Sequence, residues 1–372
     1  MNSIYLDNNA TTALDPKVLE AMVEIYSKPL NPSSIHHLGK EGKNLLSKAR
    51  EQIGEFLGVL PETIIFTSSG TESMNLLIKG LYKGDGTILS TEIEHSCVYE
   101  TIVDMEKKHT PVRFIKVDSK GAPELSEIES CIDASVTLMV FSAVYSETGA
   151  ILDIKGLAHL AKKHQIPLIL DGVALLGKES FTIDDGITAI GFSSHKFHGP
   201  KGVGLFYLAP KTKCQKLMFG GHQEKDLRPG TENLEGIIGC AKAISLLKGR
   251  QGEISDYLKN LRDLFESLLK KDLPNVHING EAARVSNTSN LYFDGIDNET
   301  LLLALDRKGI CVSAGSACSS GAIEPSRILL KMGYERKRAK SSLRFSFSRF
   351  NTEQQIIEAA SAIVEIVKKL KG

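Results

Sequence analysis

Short apolar segments alternate with amphipathic segments from about residue 13 to residue 255. The runs 136–142 and 167–170 have the length and composition of strands buried on both faces, and the helical pattern of 154–164 lies between them. This order predicts a mostly parallel sheet with helices on both faces, because parallel neighbours need a crossover connection. Ligands bind at the carboxyl ends of the strands in such sheets, so polar residues that follow a strand are the first candidates for a site.

The pattern changes at about residue 256, where a separate group of elements begins. Its predicted helix and strands lie at 298–308, 287–293, 310–313 and 343–348. We therefore predict a large domain over 13–255 and a smaller α+β domain over 256–372, which residues 1–12 join. Thr352 and Gln355 have the spacing of a capping box, which predicts the start of the last helix.

Composition argues against several classes of protein. Lys and Arg together number 45, as do Asp and Glu, so bulk charge gives no reason to expect a nucleic-acid partner. No apolar run reaches the roughly 18 residues of a membrane span, and the first residues lack the basic start of a signal peptide. These features predict a soluble cytoplasmic protein. The cysteines form no CxxC pair, which argues against a disulfide framework or a metal site; they are Cys97, Cys131, Cys214, Cys240, Cys311 and Cys318.

A lysine and an aspartate stand out among the residues that follow strands. Asp171 ends the apolar run 167–170, and Lys196 comes after one further predicted strand, 189–192. A lysine amine forms a Schiff base with pyridoxal phosphate (PLP), and a carboxylate beside the pyridine nitrogen keeps that nitrogen protonated so that the ring accepts electrons. The pair indicates a PLP site, but this spacing alone leaves open an ordinary surface lysine.

Short motifs from Tyr5 to about Phe350 resemble those of one enzyme family, and their order and spacing together exclude a chance similarity. They lie at 5–12, 31–34, 66–73, 94–95, 194–196, 228–233, 315–320 and 342–346. The chain is similar to the cysteine desulfurases of the NifS/IscS family, which are PLP enzymes. The resemblance implies an α/β PLP-dependent transferase fold (aspartate aminotransferase-like, fold type I). This fold has a large domain with a mostly parallel central sheet and a small α+β domain.

The resemblance also implies which residues hold the cofactor. Lys196 carries it and Asp171 faces the ring nitrogen. His95 stacks on the ring and is a candidate for proton transfer, although a lone histidine is more often structural. The turn before the helix at 72–83 reads by itself as an ordinary N-cap, but the family match assigns it to the phosphate. The matching phosphate positions are Gly70, Thr71, Ser193, His195 and Thr231. Thr231 matches a residue that reaches the phosphate of the neighbouring subunit, which implies a homodimer with shared sites.

Cys318 lies in a segment of Ser, Ala and Gly that favours an exposed, mobile loop over a packed core. It matches the catalytic cysteine of the family, in the group whose longer loop passes sulfur to separate acceptor proteins. Arg344 lies on the predicted strand 342–346, where it could simply increase the solubility of a sheet edge. In the family this arginine pairs with the substrate α-carboxylate, which the planar guanidinium suits.

Two positions depart from the family pattern. Relatives usually have a glutamine three residues after the aspartate, where this chain has Ala174, and an asparagine where it has Ser146. Both amides lie near the phenolic oxygen of PLP in relatives, and the asparagine also contacts the substrate. Their loss is expected to weaken cofactor positioning by roughly 1–3 kcal/mol each.

The resemblance implies conversion of L-cysteine to L-alanine, with sulfur left as a persulfide on Cys318 for iron–sulfur cluster assembly or thiolation. Two alternatives stay open. One is another PLP enzyme, such as a selenocysteine lyase or a small-amino-acid aminotransferase, and Cys318 argues against the aminotransferase. The other is a weakly active homologue that serves as a binding partner, for which Ser146 and Ala174 are the support.

Overall fold

A computed structural model describes residues 3–315 and 324–371. Its strands are β1 Ile4–Tyr5, β2 Ile64–Thr67, β3 Thr87–Thr91, β4 Val112–Ile115, β5 Val136–Ser142, β6 Leu168–Asp171, β7 Ala189–Ser193, β8 Gly204–Leu208, β9 Val276–Ile278, β10 Thr288–Phe293, β11 Ile310–Cys311 and β12 Ser342–Ser346. Its α-helices are α1 Pro16–Tyr26, α2 His37–Leu57, α3 Gly70–Leu81, α4 Ser96–Lys107, α5 Leu125–Ser130, α6 Ile154–His164, α7 Leu234–Ser245, α8 Gln251–Asp272, α9 Asn298–Arg307, α10 Arg327–Lys331, α11 Arg336–Ala339 and α12 Glu353–Lys371.

The central sheet has seven strands in the order β2-β8-β7-β6-β5-β3-β4. Strand β8 is antiparallel to both of its neighbours, and the other neighbouring pairs are parallel. The prediction of a mostly parallel α/β sheet is therefore confirmed. Strand β8 was not predicted from the sequence. It returns beside β7 directly, without a helical crossover, so the two strands must run in opposite directions.

The register of β5, β6 and β7 places Asp171 at the carboxyl edge of the sheet. Asp171 pairs with Ser142 on one side and with Gly191 on the other. All four residues of β6 are buried, as its continuous apolar run predicts for a strand covered on both faces. The carboxylate of Asp171 therefore lies where parallel sheets of this kind bind ligands.

Two smaller sheets are formed mainly by the C-terminal part of the chain. The first has the antiparallel order β12-β10-β9, and in the second β1 pairs in parallel with β11. Bridges from Asp7 to Ser346 and from Ser313 to Arg344 connect them. The N-terminal residues thus pair with the C-terminal region. The predicted domain boundary at residue 255 stays a prediction, and α8 runs across it without a break.

The predicted capping box opens α12. The hydroxyl oxygen of Thr352 accepts the Gln355 N–H at 3.2 Å, and the Gln355 side-chain oxygen accepts the Thr352 N–H at 3.2 Å. The buried face of α12 includes Ile356, Ala360 and Ile363, as the helical spacing predicts. Among the described residues, no helix is long and apolar enough to cross a membrane.

Candidate active site

One cavity of about 210 Å³ opens at the carboxyl edge of β5, β6 and β7. Most of the site residues predicted from the sequence line it. These are Gly70, Thr71, His95, Ser146, Asp171, Ala174, Ser193, His195 and Lys196. Residues far apart along the chain therefore meet in one place, because each follows a strand that ends at this edge or begins the helix after it.

Asp171 is buried at the floor of the cavity, with 5% of its surface exposed. The backbone N–H of Val173 donates to its carboxylate at 2.9 Å. Burial raises the pKa of Asp171, while the charges of His95 and Lys196 and the hydrogen bond from Val173 oppose that shift. A buried carboxylate favours a cationic partner, and a protonated ring nitrogen would be one.

Lys196 ends a short 3₁₀ turn, Ser194–Lys196, directly after β7. Its Nζ donates to the backbone carbonyl oxygens of Asn9 and Ala10, the latter at 3.0 Å. Burial and then the charge of Arg344 lower the pKa of Lys196 to about 8, although Asp171 opposes the shift. A larger fraction of the amine is neutral at pH 7 than for an ordinary lysine. The neutral amine is the form that attacks a carbonyl carbon.

The start of α3 forms another part of the cavity wall. Ser69 caps the helix, since its hydroxyl oxygen accepts the Glu72 N–H at 3.1 Å. A Cβ atom on Gly70 would lie only 2.7 Å from Cγ2 of Val173, so glycine is required where the helix meets the loop after Asp171. The first N–H groups of a helix have no partner within it. The residues Gly70 and Thr71 therefore suit the phosphate positions predicted for them.

Two residues near the end of β7 face the same cavity. Ser193 is the last residue of the strand, and His195 follows two residues later. The Nδ1 atom of His195 lies 3.1 Å from the hydroxyl oxygen of Thr11. Burial, and then the charge of Lys196, lower the pKa of His195 to about 4. The imidazole is neutral at pH 7, and in the tautomer in which Nδ1 accepts from Thr11 the Nε2–H is able to donate to an anionic ligand.

His95 is the N-cap of α4, a helix that the sequence analysis did not predict. Its Nδ1 accepts the backbone N–H of Cys97 at 3.2 Å, so in the neutral ring the proton is on Nε2. Burial lowers the pKa of His95, with Lys196, Arg327 and Arg344 acting in the same direction and Asp171 opposing. A neutral imidazole beside the cavity is able both to stack on a ring and to carry a proton.

Cys97 is a thiol in the cavity wall that the analysis did not single out. Its Sγ lies 3.1 Å from Nδ1 of His95, and burial raises the pKa of the thiol, so it is protonated at neutral pH. Donor atoms of His95, Cys97 and Asp171 lie within 4.8 Å of one another, close enough to hold a metal ion. The prediction that the protein has no metal site stays a prediction.

Comparison with known proteins decides the family. Residues 4–358 match the family described as aminotransferase class-V. The cysteine desulfurase IscS of Dictyoglomus turgidum is 36% identical over 99% of this chain and 95% of its own length. A solved structure titled NifS-like protein has a TM-score of 0.92 and 34% identity, and the match covers 99% of this chain and all of that one. The chain belongs to the cysteine desulfurases of the class-V aminotransferase family.

A structure titled SspA in complex with cysteine also matches, with a TM-score of 0.81 and 28% identity over 94% of this chain and 100% of that one.

Two predicted residues of this family member do not line the cavity. Arg344 does not line the cavity, and its Nη2 pairs with the Asp7 carboxylate at 2.8 Å. Thr231 is exposed in the loop before α7 and is also absent from the cavity wall. Cys318 lies outside the described residues. The cavity of a single chain therefore contains most of the residues assigned to cofactor and proton transfer, but neither Arg344 nor Thr231.

Asn9 and Lys178 are further polar residues of the cavity wall that sequence reasoning missed. The side-chain amide of Asn9 donates to the backbone oxygen of Ser146 at 2.9 Å and to the hydroxyl of Thr288 at 2.8 Å. The position of Asn9 inside a family motif was a usable signal. Lys178 had no such signal, because only the turn after β6 brings it back to the cavity.

Ser146 and Ala174 both line the cavity, so the missing amides are expected to limit the site. We expect the double variant Ser146→Asn, Ala174→Gln to retain PLP more tightly or to turn over faster. One hydrogen bond to a charged oxygen contributes at most about 1.5–3 kcal/mol, so a gain of about tenfold is attainable. Strain from a glutamine in the space of an alanine would reduce it. Equilibrium titration of the apo-protein with PLP, with each single variant as control, measures the effect. An unchanged affinity, turnover and substrate preference would show that another group already fills the role.

Proposed function

We propose that this chain is a PLP-dependent cysteine desulfurase that converts L-cysteine to L-alanine and leaves the sulfur on Cys318. The observation that carries the proposal is that Lys196 and the buried Asp171 face one cavity at the carboxyl edge of the sheet. Relatives named cysteine desulfurase match this chain over nearly their full length. A lysine and an aspartate in one cavity are the pair that such an enzyme is expected to have.

The cavity residues fit PLP. Asp171 would hold the ring nitrogen, His95 would lie against the ring, and Lys196 would bind the aldehyde carbon. The phosphate would be held by Gly70, Thr71, Ser193 and His195, and by Thr231 from a second subunit. When it is bound, PLP supplies an electron-accepting ring that makes the Cα proton of an amino acid acidic.

The protein groups then have separate tasks in the reaction. The amine of Lys196 takes the proton from Cα of the substrate, and the charge of Asp171 keeps the ring nitrogen protonated. His95 carries a proton between groups of the cavity. The thiolate of Cys318 attacks the substrate sulfur, and the C–S bond breaks with its electron pair left on the substrate carbon, which then takes a proton. Cysteine and the enzyme thiol thereby become alanine and an enzyme persulfide, with no outside oxidant needed.

Cysteine as the substrate has support from two observations. A protein with a structure titled SspA in complex with cysteine shares 28% identity with this chain. In addition, Nε of Arg344 is buried with no hydrogen-bond partner among the described residues, although Nη2 pairs with Asp7. A guanidinium donor without a partner among the described residues suits the substrate α-carboxylate, and we assign that carboxylate to Arg344.

We further propose a homodimer with shared sites and a separate sulfur-acceptor protein, such as an iron–sulfur scaffold. The dimer is supported by the exposure of Thr231 and by exposed apolar side chains on α1, namely Leu19, Val23 and Tyr26. The acceptor is inferred from the longer loop around Cys318. A monomer in analytical ultracentrifugation would contradict the first part. Failure of labelled sulfur to pass from the enzyme to a scaffold would contradict the second.

Two measurements on the purified protein test the function. PLP added to the apo-protein should give a visible absorption band of lysine-bound cofactor, and L-cysteine should then yield equal amounts of alanine and transferable sulfur. A thiol reductant should release that sulfur as sulfide. Cysteine is compared with selenocysteine and with other small amino acids. No visible band, or a transamination product in place of alanine, would overturn the proposal.

A further inference from the structure

Lys178 is a buried lysine that forms no salt bridge with any residue the structure describes. Its residue is 5% exposed, and Nζ has no hydrogen-bond partner among the described residues. It lines the cavity that also contains Asp171 and Lys196. No step of the proposed reaction uses it. Burial of an unpaired ammonium lowers the stability of the folded protein, so a lysine at this position needs a functional explanation.

The neighbouring carboxylate does not neutralise Lys178. Glu179 accepts the Ser286 N–H at 2.6 Å and the Ser255 hydroxyl at 2.9 Å, and it is absent from the cavity wall. Burial lowers the pKa of Lys178 to about 7, and the charges of Lys196 and Arg344 act in the same direction. Together they lower the pKa of Lys178 more than the negative charge of Glu179 raises it. The side chain would therefore gain a proton when an anion binds beside it.

The backbone holds Lys178 in this position. Gly177 has φ of +83°, and a Cβ atom there would lie 2.7 Å from Cβ of Phe197. This left-handed residue turns the chain so that the next side chain enters the cavity instead of solvent. Lys178 lines the same cavity as Ser146 and Ala174, neither of which provides a side-chain amide.

We propose that Lys178 is an anion-binding residue of the active site, whose ammonium binds an anionic oxygen of the bound ligand at the Ser146 and Ala174 end of the cavity. The inference rests on the proposed function. Two sources offer this chemistry, namely the phenolic oxygen of PLP and the α-carboxylate of the amino-acid substrate, which Lys178 would share with Arg344. In either case Lys178 performs a task that side-chain amides at 146 and 174 would otherwise share.

The test compares Lys178→Met with Lys178→Arg and with Lys201→Met, a control that removes an exposed lysine outside the cavity wall. Each purified variant is titrated with PLP as apo-protein, and the pH titration of the visible band is recorded. The holoenzyme is then titrated with L-alanine, which binds without transferable sulfur. We expect Lys178→Met to weaken one of the two ligands by about tenfold or more, since a hydrogen bond to a charged group is lost. Lys178→Arg should restore most of the binding.

The two titrations distinguish the source of the oxygen. A weaker PLP complex with a shifted pH titration identifies the phenolic oxygen, and weaker alanine binding with unchanged PLP affinity identifies the carboxylate. Wild-type values in both titrations for Lys178→Met, with an equal or higher melting temperature, would overturn the inference. Should the methionine variant fail to fold, Lys178→Ala is judged by the same two titrations. A wild-type protein without a visible band would instead overturn the proposed function itself.

Discussion

Replacing Lys196 with alanine is expected to abolish turnover and to remove the visible absorption band of bound PLP. The amine of Lys196 is both the point of attachment and the group proposed to move the Cα proton, so no neighbouring group takes over both tasks. A loss of at least about 10³-fold in kcat is expected, because each of these roles is commonly worth several powers of ten. Steady-state alanine formation and a spectrum of the PLP-loaded variant are the measurements.

The control for Lys196→Ala is Lys201→Ala, which removes an exposed lysine nearby in the sequence. The control should keep the band and the activity. If Lys196→Ala formed alanine at near the wild-type rate, the assignment of Lys196 as the cofactor-binding lysine would be wrong. The melting temperature of each apo-variant checks that the fold is intact, because Nζ of Lys196 also donates to the backbone of Asn9 and Ala10.

Replacing Cys318 with serine is expected to stop sulfur transfer while leaving substrate binding intact. Serine has nearly the size of cysteine but is a far weaker nucleophile toward sulfur, so the persulfide does not form. Cysteine should still change the visible spectrum of the variant, because Lys196, Asp171 and His95 are unaffected. Mass spectrometry of the trapped protein should find the persulfide on Cys318 in the wild type and nowhere in the variant.

A matched control is Cys131→Ser, which changes a half-buried thiol that is absent from the cavity wall. It should retain full transfer. A persulfide that maps instead to another cysteine would contradict the prediction. Cys97 is the most informative of these, because it lies in the cavity wall beside His95, although burial keeps its thiol protonated.

The double variant at Ser146 and Ala174 and the variants of Lys178 inform each other. If Lys178 already binds the oxygen that the amides would reach, the added amides should have a small effect while Lys178 is present. They should have a larger effect when Lys178 is methionine. Such non-additivity is the expected sign of groups that share one partner.

Secondary structure was predictable where the hydrophobic pattern was strong. The buried strands β5 and β6 and the helix α6 lie where the pattern placed them. The pattern missed α4, whose β-branched and aromatic residues are weak helix formers. Its buried residues Val98, Ile102 and Met105 follow helical spacing, which was an overlooked signal. Strand β8 was also missed. Its antiparallel direction follows from the short connection from β7, which the hydrophobic pattern does not reveal.

The amino-acid sequence by itself determined the class of sheet, the strand-end position of Asp171 and the place of Lys196 after the next strand. Periodicity and strand order are local properties, and they suffice for that. Only the tertiary structure decided that Asn9 supports Lys196, that Arg344 pairs with Asp7, and that Lys178 turns into the cavity without a counter-ion among the described residues. These contacts join segments distant in sequence or depend on a left-handed turn. Neither propensity nor spacing along the chain determines which charges share a buried space.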